Sequence, residues 1–148
     1  MPAEADLATK PSLTLKRHLK ATPETVYAAW TEPEKLLKWF GPGDGPVTLA
    51  EADLRPGGRY AIAFMEDGEE HHVSGIYDEV VPNEKLVFTW TWRSMPDRKS
   101  LVTILLKPDQ DGTLVTLMHE QFVDEHVRDL HLKGWTGCLD SLDRYFAS

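Results

Sequence analysis

From residue 12 the chain alternates. Leu13, Leu15, Arg17 and Leu19 take every second place, with Thr14, Lys16, His18 and Lys20 between them, which predicts a strand with one mostly apolar face. The period changes at Thr22-Pro23, an N-cap followed by proline at the first helical position, and a short helix is expected through Val26, Tyr27 and Trp30. A second helix starts at once at Pro33, with Leu36, Leu37, Trp39 and Phe40 on its apolar side. "GPGDGP" at 41–46 ends the helical pattern, because its glycines and prolines break it. Alternation then returns, and strands are predicted over about 47–54, 58–66, 70–81, 84–92, 99–107 and 113–122, parted by turn signals such as Asp67-Gly68 and Asp111-Gly112. Links this short cannot carry a parallel crossover, so six antiparallel strands form a meander in addition to the first.

The last element, from Asp124 to about Phe146, spaces Val127, Leu130, Trp135, Leu139, Leu142 and Phe146 as one stripe of a long helix. Gly134 and Gly137 lie inside it. Each costs about 1 kcal/mol relative to alanine, so either the sheet backbone comes close there or space is left for a ligand. Residues 1–10 show no period and are expected to form a flexible tail, with 11–148 as a single domain.

Composition narrows the function classes. With 148 residues, 41% of them hydrophobic, one core can form without disulfides or metal. A net charge of −8 repels a phosphate backbone and argues against nucleic acid as a partner. The stretch Leu7 to Pro23 is the exception, with Lys10, Lys16, Arg17, His18 and Lys20 and no acidic residue; it reads as a solvated strand face, or as a surface for an acidic partner. Cys138 is the lone cysteine, which rules out an intramolecular disulfide, and its apolar helical setting predicts an inert packed thiol. No apolar run approaches the roughly 20 residues that span a bilayer, and "MPAEADLATK" has no signal-peptide core. The cytoplasm is the expected compartment.

The order strand, two short helices, six strands, long helix resembles the helix-grip fold of the START-like (SRPBCC) superfamily. Four stretches carry the resemblance: "VYAAWTEPEKLLKWFGP" (26–42), "ADLRPGGRY" (52–60), "GIYDEVVPNEKLVFTWTW" (75–92) and "GWTGCLDSL" (134–142). Together they look like the family of the activator of the heat-shock-protein-90 ATPase. The resemblance implies an α+β fold, a curved antiparallel sheet of about seven strands wrapped around one long C-terminal helix, with two short helices after the first strand. It implies no single activity, since members of the superfamily bind lipids, sequester or cyclise polyketides, or act as cochaperones.

The strands point to an apolar site. Leu86, Phe88, Trp90 and Trp92 share one face of their strand, and Tyr60, Ile62 and Phe64 share one face of theirs. One helix covers only part of such a sheet, so a cavity between sheet and C-terminal helix is expected, with a filled core as the competing outcome. Its candidate lining is Tyr60, Ile62, Phe64, Phe88, Trp90 and, from the helix, Trp135, with Trp39 and Phe40 as rim or lid. Met118 is the candidate from 113–122, where Val115, Leu117 and His119 compete with Leu114, Met118 and Glu120 for the inward face.

Chemistry is harder to find. His71 and His72 are adjacent on a strand and point to opposite faces, and His126 and His131 miss the i, i+4 spacing, so no metal site is expected. No nucleotide, Rossmann or G-x-S-x-G motif occurs, and no cofactor is expected. His72, His119 or Glu120 could serve as an acid or base if turned into an apolar cavity, Glu120 being the strongest of three weak catalytic candidates. The favoured reading is a carrier or sensor for a small apolar or aromatic molecule. The alternatives are a chaperone-binding module that stimulates the heat-shock-protein-90 ATPase in a stress response, and a polyketide cyclase-like or hydrolase-like enzyme. Monomer and homodimer both remain open.

Overall fold

The computed structural model describes residues 10–43 and 45–147; all of the expected tail except Lys10 lies outside the described residues. The elements run β1 (Leu13–Leu19), α1 (Pro23–Thr31), α2 (Pro33–Trp39), β2 (Val47–Ala52), β3 (Arg59–Glu66), β4 (Glu69–Val81), β5 (Lys85–Trp92), β6 (Ser100–Asp109), β7 (Gly112–Glu120) and α3 (Glu125–Ala147). The strands form one seven-stranded antiparallel sheet in the order β1-β7-β6-β5-β4-β3-β2. The meander from β2 to β7 follows from its short turns, and β1 adds beside β7 with Leu13 opposite His119 and Leu19 opposite Thr113.

Local signals start the helices where expected. Thr22 caps α1, its Oγ1 accepting from the Thr25 N–H at 3.2 Å. The Oδ1 of Asp124 does the same for Val127 at 2.9 Å ahead of α3. The concave face of the sheet and the helices share one core that includes Ile62, Val73, Ile104, Leu117, Leu139 and Leu142, all at least nine-tenths buried.

The structure resolves the face of β7. Val115, Leu117 and His119 are completely buried, so Met118, next along the pleat, is half-buried on the outer face opposite the exposed Thr14. The stripe of α3 also differs from expectation. Leu130 is 56% exposed, because it lies five residues before Trp135 and a helix turns past the core over that interval. His131, one turn before Trp135, takes the inward place. Leu37 on α2 is likewise exposed. Of the basic residues near the N-terminus, Arg17 is engaged by Asp140 (2.8 Å) and Asp143 (3.7 Å) of α3, so this stretch is not a wholly free basic surface.

The two glycines of α3 face the loop after α2 rather than the sheet. A Cβ on Gly137 would collide with the carbonyl oxygen of Pro42, whereas one on Gly134 would rest 4.0 Å from the Pro42 Cβ, an ordinary contact. We therefore expect opposite effects. Gly137→Ala should lower stability by about 1–3 kcal/mol through overpacking; Gly134→Ala should raise it by up to about 1 kcal/mol through helix propensity. Urea midpoints of the two variants check this directly.

Candidate functional site

A small apolar chamber lies between the α1–α2 segment and the sheet. Trp30 of α1, Leu36 of α2 and Phe40 just after it form one wall. Tyr60 and Ile62 of β3, Tyr77 of β4, and Phe88 and Trp90 of β5 form the other. Its free volume is about 20 Å³, room for about one water molecule. The expected position between sheet and C-terminal helix is therefore corrected, since none of these lining residues belongs to α3.

Among the expected cavity residues, Phe40, Tyr60, Ile62, Phe88 and Trp90 converge on the chamber. Trp39 does not form a rim: it is 2% exposed and its Nε1 donates to the Ala29 carbonyl at 2.8 Å, tying α2 to α1. Phe64 is buried between Phe40 and Trp92, with ring centroids 6.1 Å from each. Trp135 is not part of the lining and packs against Trp90, the ring centroids 4.9 Å apart and the planes tilted by 50°, and Met118 is on the far face of the sheet. Trp30, Leu36 and Tyr77 join the site unannounced by the strand pattern. Trp30 stood in the apolar pattern of its helix, but nothing in that pattern says which partner it meets.

The polar atoms of the lining side chains are the hydroxyls of Tyr60 and Tyr77 and the indole nitrogens of Trp30 and Trp90. The Tyr60 hydroxyl donates to the Thr89 carbonyl at 2.6 Å; burial pushes this hydroxyl well above its ordinary pKa, and that of Tyr77 up to about 12. Trp30 Nε1 and Trp90 Nε1 are buried and find no acceptor among the described residues, as is also true of the Tyr27 hydroxyl.

Behind the chamber runs a buried polar chain. Trp135 Nε1 donates to His119 Nδ1 at 2.9 Å, and His119 Nε2 lies 2.7 Å from Ser100 Oγ. An indole nitrogen can only donate, so the His119 ring proton sits on Nε2 and is donated to the serine. That is the reverse of a nucleophile-activating Ser–His pair, in which the imidazole accepts the serine proton. Burial, with His131 close by, also depresses the His119 pKa to about 2. This imidazole stays neutral and is a poor base. His131 is held in the same manner, its Nε2 accepting from Trp92 Nε1 at 2.9 Å and its Nδ1 donating to the Val127 carbonyl at 2.9 Å.

The other acid–base candidates are outside. Glu120 is exposed on the outer face of β7, and His72 lines a shallow surface groove of about 290 Å³ with Glu69, Glu70 and Arg93. Among the described residues no three His, Cys, Asp or Glu side chains come together as a metal site. Cys138 is buried, and its thiol pKa is pushed up to about 12 by that burial. No described helix is long and apolar enough to cross a membrane.

A curved seven-stranded antiparallel sheet closed by one long helix, with an aromatic chamber under two short helices, defines a START-like, helix-grip protein. More narrowly, residues 20–147 match the family described as Activator of Hsp90 ATPase homolog 1-like protein, and the chain belongs to that family. It is 29% identical over 123 residues to the human Activator of 90 kDa heat shock protein ATPase homolog 1, a match covering 83% of this chain and 33% of the human protein. The chain thus spans about a third of the length of that relative. Crystal structures agree on the fold. One is of a Chromobacterium violaceum protein, with TM-score 0.80, 30% identity, and 93% of this chain and 99% of that one covered. Another is of the AHSA1 protein of Silicibacter pomeroyi, with TM-score 0.81, 28% identity, and 93% and 98% covered.

Proposed function

We propose that this domain binds a small apolar or aromatic molecule in the chamber between the α1–α2 segment and the sheet. The observation that carries this reading is the lining itself: eight side chains, mostly aromatic, none charged, meeting at a gap in the core. At about 20 Å³ the gap admits a ligand only if a wall yields, and Leu36 and Phe40 form the part of the wall outside the sheet and outside α1. A carrier or sensor needs no more chemistry than this, and the reversed Ser100–His119 pair supports binding over acyl transfer.

Thermal unfolding with a panel of fatty acids, sterols, flavonoids and aromatic polyketides tests the reading. A ligand of the native state at 100 times its Kd stabilises by about 2.7 kcal/mol, so one chemical class should raise Tm by several degrees. A flat response across the panel would count against it. The likeness to the human ATPase activator supports a second reading, a chaperone-binding module. A flat panel together with stimulation of the host heat-shock-protein-90 ATPase would favour that reading instead.

A further inference from the structure

The first third of α3 rests on the domain without entering it. Phe122 and Trp135 are anchored in the core, 2% and 3% exposed, but between them no residue of 123–134 is buried; the buried positions of α3 are Trp135, Cys138, Leu139 and Leu142. Val127 and Leu132 lie half-buried against the core. Among the described residues, two side-chain hydrogen bonds join this segment to other elements: Arg128 donates to the Ser12 carbonyl at 3.2 Å on the exposed surface, and Trp92 Nε1 donates to His131 Nε2 at 2.9 Å. Gly134 ends the segment, and a Cβ there would meet only the Pro42 Cβ, at an ordinary 4.0 Å. No close approach requires this glycine, so its weakening of the helix stands uncompensated at the junction between the unburied and the buried parts of α3.

We propose that the segment Glu125–Lys133 is an acid-released flap, pivoting at Gly134 and latched shut by the hydrogen bond from Trp92 to His131. Glycine has the backbone freedom a pivot needs, and hinges are a few positions that absorb the change in backbone angles. The latch follows from what each ring can donate. An indole nitrogen only donates, so the closed flap needs His131 Nε2 unprotonated, with the ring proton on Nδ1 and given to the Val127 carbonyl at 2.9 Å. A second proton on the imidazole would set N–H against N–H, so charge and latch exclude each other. The groups that face His131 among the described residues are Trp92 of β5, His119 of β7 with ring centroids 5.1 Å apart, and Phe122 at 4.9 Å. His71 of β4 lies beyond Trp92, and Arg128, three residues back on the same helix, is paired with Glu125 and Asp129. Burial lowers the His131 pKa below its ordinary 6.5, whereas an opened flap returns the ring to water. Opening is therefore favoured as pH falls below 6.5, and it uncovers the Phe122 ring on which His131 packs.

Backbone amide hydrogen exchange, read residue by residue by NMR and corrected for intrinsic rates, tests this. The amides of 138–145, which lie among the buried positions of α3, serve as the reference. At pH 7.5 those of 129–133 should be at least tenfold less protected than the reference, and by pH 5.5 their protection should fall by about a further tenfold. His131→Gln offers Trp92 an amide oxygen that cannot titrate, and its flap should lose less than twofold over the same range. Gly134→Ala should raise the protection of 129–133 by up to about fivefold. Should His131→Gln fail to fold, Trp92→Phe reads the latch directly: its flap should be about tenfold less protected than wild type already at pH 7.5. Equal protection of 129–133 and 138–145 in the wild type would overturn the inference. So would a flap whose fall with pH survives in His131→Gln, one whose protection is unmoved by Trp92→Phe, or one left unchanged by Gly134→Ala.

Discussion

Acid should weaken this domain steeply, and the loss should begin as pH falls below about 6.5. The His119 ring is fully buried, with the rings of Trp90, Phe122, His131 and Trp135 around it and Ser100 at its Nε2. Among the described residues, burial and the neighbouring His131 are what act on its charge. Its folded pKa of about 2 lies below its ordinary 6.5, so between those values the unfolded chain holds a proton that the folded chain refuses. Stability is therefore full above pH 6.5 and declines as pH falls toward 2, at about 1.4 kcal/mol per pH unit from this residue. His131, also lowered by burial, adds in the same direction over the upper part of that window. Against a total of about 5–15 kcal/mol, two pH units are a large fraction. Urea midpoints measured from pH 8 to 4.5 should show this slope, and His119→Gln should remove about one proton from it. A slope unchanged by that substitution would mean that folded His119 takes up a proton freely.

Trp135→Ala should be the most damaging substitution in α3. The indole is 3% exposed, lies 4.9 Å from Trp90 and meets Phe40 edge-on at 6.1 Å. Removing it should cost about 3–5 kcal/mol, much of what a domain of this size has. Trp135→Phe keeps most of the packing but leaves His119 Nδ1 without its donor, at about 1–3 kcal/mol. It also frees the ring to place its proton on Nδ1 and accept from Ser100 at Nε2, which long-range ¹⁵N spectra of the histidines would register. Because Trp135 stands behind the chamber and not in it, the Phe variant should retain wild-type ligand affinity. A folded Trp135→Phe domain with lost affinity would place the ligand against α3 after all.

The elements were legible wherever one face is apolar and the other polar. "KLVFTWTW" reads as β5 because Thr89 and Thr91 alternate with Phe88 and Trp90, although Val87 on the threonine face is itself buried. β7 did not read so, because its outer face carries Leu114 and Met118, opposite Lys107 and Thr103 of β6; when both faces hold apolar side chains, alternation loses its contrast. The same limit hid the true stripe of α3, where a histidine and a cysteine occupy inward places and Leu130 points to water. For the site, the strand pattern supplied the sheet half of the chamber. It could not supply Trp30 and Leu36, whose placement depends on how two short helices fold back. Nor could it reveal Tyr77, which precedes a break in register between β4 and β5 at Tyr77/Glu79. Least visible was the His119–Ser100–Trp135 chain, since its direction is fixed by a donor from another element.

The pairing of β1 with β7 ties position 13 to position 119, and this governs the order in which the chain can be finished on the ribosome. β2 to β6 can zip in sequence as they emerge, each closing a short loop. β1 must wait beside the growing meander until the strand that receives it has been translated, a long-range closure that slows folding. During that wait Leu13, Leu15 and Leu19 stand uncovered on a nascent chain, a window in which other hydrophobic surfaces compete for them.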